Sequence, residues 1–164
     1  MTIFLVEAIV LCVLFTILIL CSMKKPLEVQ IYSYPPAIIN RVAEMGMIER
    51  PEKPRMVESV KRKWPVIIIF GVVIALIVYF VNGAETFLKG FSVSYGLWLV
   101  VDWYDAIVLD IGWVCHSKKV RIPGTEDMIE AYQDYRFHMK ASLVGMLLGL
   151  PACLIAGVAC WMLP

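Results

Sequence analysis

The stretch FSVSYGLWLVVDWYDAIVLDIGWVC, residues 91–115, decides how the rest of the chain is read. Its length and apolar content suit a bilayer-crossing helix, yet Asp102, Asp105 and Asp110 lie within it. At about 100° per residue from Asp102, Asp105 falls near −60° and Asp110 near +80°, with Trp98, Leu109, Trp113 and His116 between them. One helical face therefore gathers the ionisable groups. Asp102 and Asp105 would each cost roughly 2.5–3.5 kcal/mol at the centre of an isolated inserting helix. Asp102 lies roughly 16 Å along the helix from Phe91, close to the midplane, so this face must meet protein or water. Ring donors of Trp103 and Tyr104 are the economical partners for such carboxylates.

Composition agrees with a membrane protein. Hydrophobic residues make up 60% of the 164 and charged residues only 18%, with a mean hydropathy of +0.77, which excludes an ordinary soluble domain. The net charge of +1 decides little by itself, and no nucleic-acid partner is expected. The distribution of charge is more informative than its sum. All 15 Lys and Arg lie outside four apolar runs, and all but Lys89 fall within 24–63 and 118–140. The fold class expected is all-α: a polytopic integral membrane protein with four transmembrane helices, at about 2–22, 64–81, 91–115 and 141–163, plus a cytoplasmic amphipathic helix, in one membrane domain. The positive-inside rule puts segments 23–63 and 116–140 in the cytoplasm and both termini on the other side of the cell membrane.

The remaining spans have their own marks. The first lacks the basic start and small-residue cleavage site of a signal peptide, and its one acid, Glu7, either reaches the headgroups or pairs with another helix. The second, VIIIFGVVIALIVYFV, carries no charge and can face lipid, and the short NGAETFLKG behind it implies an antiparallel hairpin with the third. In the fourth, Ala141, Gly145, Gly149, Cys153 and Gly157 recur at helical spacing, a stripe that admits a close neighbour, and Pro151 bends the helix or frees a carbonyl. Cys12, Cys21, Cys115, Cys153 and Cys160 form no CxxC and suggest no disulfide framework.

Between the first two spans, SYPPAIINRVAEMGMI reads as a short helix over 36–45. Pro36 sits in its first turn, Ile38, Val42 and Met45 form its apolar face, and Gly46 follows as the C′ residue. It is expected to lie on the membrane or dock against the spans. ERPEKPR follows as a proline-broken linker, and Lys61, Arg62 and Lys63 anchor the topology. The connection CHSKKVRIPGTEDMIEAYQDYRFHMK turns at Pro123-Gly124. Thr125 is the expected cap of a helix running on into the fourth span, with Asp127, Glu130, Asp134 and His138 on one face.

Two stripes of carboxylates thus end in histidine near the cytoplasmic border. The catalytic candidates are Asp102, Asp105, His116 and His138, and the metal-ligand candidates are Asp105, Asp110, His116, Asp127, Glu130, Asp134 and His138. No paired His box, nucleophile elbow, glycine-rich phosphate loop, DGxxAR pattern or GxSG accompanies them. The leading expectation is a membrane-embedded enzyme, with a divalent metal as candidate cofactor, acting on a lipid-soluble or small cationic substrate. The alternatives are a proton- or cation-coupled transporter or channel using Asp102 and Asp105 as a relay, and a non-catalytic scaffold or accessory subunit. A homo-oligomer is expected because four helices scarcely enclose a polar site.

Overall fold

A computed structural model describes the backbone of residues 2–49 and 56–163, and their side chains except over 56–67. Among these residues every regular element is helical: α1 (Thr2–Ser22), α2 (Leu27–Gln30), α3 (Pro36–Glu44), α4 (Met56–Asn82), α5 (Phe87–Tyr104), α6 (Ile129–Tyr132) and α7 (Tyr135–Met162). Short 3-10 turns cover Ile31–Ser33, Val114–His116 and Lys118–Val120, and α5 continues as a π-helix over Asp105–Trp113. The linker at 50–55 lies outside the described residues, and Lys61, Arg62 and Lys63 lie outside the described side chains.

Two helical stretches are long and apolar enough to cross a bilayer, α1 and Ile129–Met162. Ile68–Asn82 and Phe87–His116 meet that test only together, across a bend of 109°. The described residues therefore hold two candidate crossings, or three if the bent pair is one, against the four separate spans expected. The described part of the second span, Ile68–Asn82, is shorter than the roughly 20 residues a crossing needs. The bend is also a wide turn where a tight antiparallel hairpin was expected.

The chain divides into two compact units. The first comprises Met1–Cys12, Pro54–Asp102 and Leu143–Pro164. Its core joins Ala8 of α1, Ile74, Ala75 and Val78 of α4, Leu97 of α5, and Ala156 and Cys160 of α7. The small-residue stripe of α7 does what its spacing implies. A Cβ at Gly149 would fall on the Trp98 indole, and one at Gly145 on Oδ1 of Asp102, so these gaps are filled by α5 side chains. Trp98 Nε1 donates to the Gly145 carbonyl at 3.1 Å. In lipid such contacts stabilise by close packing, since hydrocarbon is no less welcoming than another helix. Glu7 takes the partnered arrangement: Asn82 Nδ2 of α4 donates to its Oε1 at 2.8 Å. Most of α1 remains open, with Ile9 and Leu18 each 64% exposed.

The second unit comprises Val13–Lys53 and Trp103–Ser142. The sequence-derived helix appears as α3, with Pro36 in its first turn, and Gly46 at φ +70° supplies the left-handed C′ residue. Its apolar face is not left for the membrane. Ile38 and Val42 are fully buried against Ile31, Tyr34, Ile122 and Tyr132, so residues 31–48 and 122–132 share one core. That core was hidden from the sequence because each half contributes too few apolar residues to be recognised alone.

Thr125 does not cap a helix. Its Oγ1 donates to the Ile122 carbonyl at 2.8 Å and accepts from the Tyr132 hydroxyl at 2.6 Å, while Tyr132 accepts the Ile122 N–H at 2.9 Å. The expected continuous helix is broken before Tyr135, and Asp134 caps the start of α7 by accepting the Phe137 N–H at 3.1 Å.

Candidate functional site

The π-helix changes the geometry on which the aspartate face was reckoned. In an α-helix Asp105 and Asp110 would stand about 140° apart. With i→i+5 bonding, near roughly 4.4 residues per turn, the same two residues come within about 50° of each other. Both line one cleft of about 260 Å³ in the second unit. The winding closes with the Val114 N–H shared between the Leu109 and Asp110 carbonyls. Gly112 fits the wide turn, because a Cβ there would approach the Ile107 carbonyl to 3.1 Å.

His138, in the first turn of α7, lines the same cleft and is 4% exposed. Its Nδ1 lies 2.8 Å from Asp110 Oδ2. A carboxylate can only accept, so a neutral imidazole here carries its proton on Nδ1 and keeps the Nε2 lone pair for another proton. The Asp134 cap fixes where α7 starts and hence where His138 stands.

The opposite wall comes from the end of α1 and the short segment after it, with Ser22, Gln30, Tyr32 and Tyr34. Gln30 Nε2 donates to the carbonyls of Met23 and Lys25, folding that segment back on the helix end. Tyr34 is held from two sides. Its hydroxyl donates to the Val120 carbonyl at 2.7 Å, and its ring meets Tyr132 edge-on at 6.0 Å. Burial, and then the neighbouring Tyr132, push the Tyr34 hydroxyl up to about 12, so it stays a neutral donor at physiological pH. No periodicity or motif marks residues 22–34 as a wall of the site, and the sequence reading missed them.

The other candidate residues have different places. Asp102 belongs to the first unit, packed at Gly145, and is not part of the cleft lining. Tyr104 does not serve the aspartates in the expected way, since its hydroxyl meets Thr16 Oγ1 at 2.9 Å. His116 is exposed, with Nδ1 at 2.9 Å from the Ile111 carbonyl and Nε2 at 3.3 Å from the Tyr135 hydroxyl. It closes the end of the π-helix as a cap and stacks on Tyr135. Asp127 and Glu130 are exposed.

The expected metal centre is not found among the described residues. Of Asp105, Asp110, His116, Asp127, Glu130, Asp134 and His138, three lie exposed, His116, Asp127 and Glu130, and Asp134 caps α7. Among the described residues no three His, Cys, Asp or Glu side chains gather closely enough to hold an ion. What the structure does bring together is a pair, Asp110 and His138, with Asp105 in the same cleft. Comparison with protein-family models, with curated proteins and with solved structures finds no match.

Proposed function

We propose that the chain is a membrane-embedded enzyme in which Asp110 and His138 form a general-base pair acting on a lipid-soluble substrate at the cytoplasmic border. The observation that carries this reading is the 2.8 Å contact between Asp110 and a nearly buried histidine on the wall of a cleft. In this mechanism Nε2 of His138 takes a proton from a water or hydroxyl as it attacks. Asp110 accepts from Nδ1, holds the ring in the required tautomer and stabilises the imidazolium as it forms. General-base assistance of this kind contributes about 10²–10⁴ in rate.

The cleft suits a substrate delivered from the bilayer. Ile19, Ser22 and Met23 at the end of α1 form one wall and Ala141 of α7 another, and both helices are among the candidate crossings. Under this proposal the chain crosses four times, by α1, α4, α5 with its π continuation, and α7, with both termini outside. The shared core of the two extramembrane segments supports placing them on one side.

The test compares lipids extracted from membranes carrying the wild-type protein, His138→Gln and Asp110→Asn, by untargeted mass spectrometry. A lipid-soluble species should be consumed or formed by the wild type and left unchanged by both variants. Identical lipid profiles in all three would remove the enzymatic reading.

A further inference from the structure

We infer that two lysine pairs of the second unit, Lys24 with Lys25 and Lys118 with Lys119, form a docking surface for the headgroups of anionic phospholipids. All four are exposed. They are distant in the chain, but the fold joins their segments. Met23 and Val120, the chain neighbours of Lys24 and Lys119, line the same cleft, and the Tyr34 hydroxyl donates to the Val120 carbonyl. Both backbones are fixed. Gln30 holds the first pair through the carbonyls of Met23 and Lys25, and Ser117 Oγ holds the second by accepting the Lys119 N–H at 3.3 Å. Neither 22–25 nor 117–121 contains an acid. Lys140, beside the lining residue Ala141, adds a fifth exposed cation.

Charge alone would suit any polyanion, and position selects lipid. Lys24 follows closely on the end of α1 at Ser22, and α1 is one of the two helical stretches long and apolar enough to cross a bilayer. The first pair therefore stands where a crossing helix leaves the hydrocarbon. The segment that follows leaves Val29 54% and Tyr32 62% exposed. Exposed tyrosine and lysine together suit a membrane–water interface, where the ring enters the headgroup layer and the ammonium meets phosphate. A soluble polyanion would leave Val29 and Tyr32 uncovered. The exposed acids Glu126, Asp127 and Glu130 come later in the chain, beyond Pro123-Gly124, and Glu28 is the one acid within 23–33.

The test titrates purified protein in maltoside micelles with two lipids of the same chain length, dioctanoyl phosphatidylglycerol and dioctanoyl phosphatidylcholine, by calorimetry. At low ionic strength the anionic lipid should bind at least about tenfold more tightly, and the gap should close near about 1 M salt. Each lysine near an anionic surface contributes about fivefold. Combining Lys24→Gln, Lys25→Gln, Lys118→Gln and Lys119→Gln should therefore abolish the preference, while arginine at the same four positions should keep it. Lys89→Gln, which alters the lysine of the first unit that donates to the Gly83 carbonyl, should leave it unchanged. Glycerol 3-phosphate, the same anionic chemistry without chains, should not displace the lipid. Equal binding of the two lipids, a preference that survives the glutamine variant, or displacement by glycerol phosphate at equal concentration would overturn the inference. All four lysines lie outside the cleft lining, so the result stands apart from the Asp110 and His138 pair.

Discussion

Asp110→Asn separates the electrostatic role of Asp110 from its shape. The substitution keeps volume and leaves a carbonyl that can accept from His138 Nδ1, but it removes the charge. A hydrogen bond to an ionised group contributes roughly 1.5–3 kcal/mol, against about 1 kcal/mol for a neutral one, so the stability loss should stay below about 2 kcal/mol. The effect on chemistry should be far larger. An asparagine can also turn its amide N–H₂ toward Nδ1, which moves the imidazole proton to Nε2 and blocks that nitrogen as a base. In serine hydrolases the equivalent exchange costs about 10⁴ in rate, so a loss of about 10²–10⁴ in lipid conversion is expected. Nitrogen NMR of isotopically labelled histidine reads the tautomer directly. The chain has only 2 histidines, and His138→Gln assigns the signals. Wild-type His138 should carry its proton on Nδ1, and the Asn variant should show the other tautomer or a mixture. An Asn variant with the wild-type tautomer and wild-type conversion would refute the reasoning.

His116→Gln should cost about 1–2 kcal/mol, because the contacts to Ile111 and Tyr135 are lost or weakened, and leave lipid conversion within about threefold, as unfolding and activity assays in detergent will check. Gly149→Ala puts a methyl group on the Trp98 indole and should destabilise by about 1–3 kcal/mol, read as a lower unfolding midpoint. The raised folded value of Tyr34, about 12 against 10 for a free tyrosine, means that its stabilisation is whole below pH 10 and is lost as the pH climbs from 10 toward 12, where the unfolded chain ionises first. The loss should amount to about 1–2 kcal/mol after solvent screening, so the gap in stability between wild type and Tyr34→Phe should narrow over that interval, and a constant gap would contradict it.

What the sequence disclosed and what it withheld follow from the range of the interactions concerned. Hydropathy is summed locally, so α1 and the body of α7 were legible from composition alone. The same holds for α3, whose start and stop depend on Pro36 and Gly46, and for the stripe at Gly145 and Gly149, whose spacing is an intrinsic helical period. The shared core was not legible, because Tyr34 and Val120 meet across 86 residues of chain and neither flank announces the other. Asp134 was read as a member of an acidic face because its spacing fits one. Whether it faces solvent or caps α7 depends on where the chain breaks, and Tyr132, anchored to Ile122 and Thr125, belongs to the core on the near side of that break.

The aspartates show most plainly how one local parameter redirects a functional reading. All three were assigned to a single stripe by a constant 100° step, and the step changes after Tyr104. Asp102 precedes the change and stands at the gap beside Gly145, outside the cleft lining. Asp105 and Asp110 follow it, and the wider winding turns them toward one another instead of apart. A π-helix has poorer hydrogen-bond geometry than the α-helix it replaces and needs compensation. Here the last turns are tied by the shared Val114 N–H and by the His116 side chain on the Ile111 carbonyl. His116, a catalytic candidate by sequence, is one of two ties on these turns and lies outside the cleft lining, the Val114 N–H being the other tie.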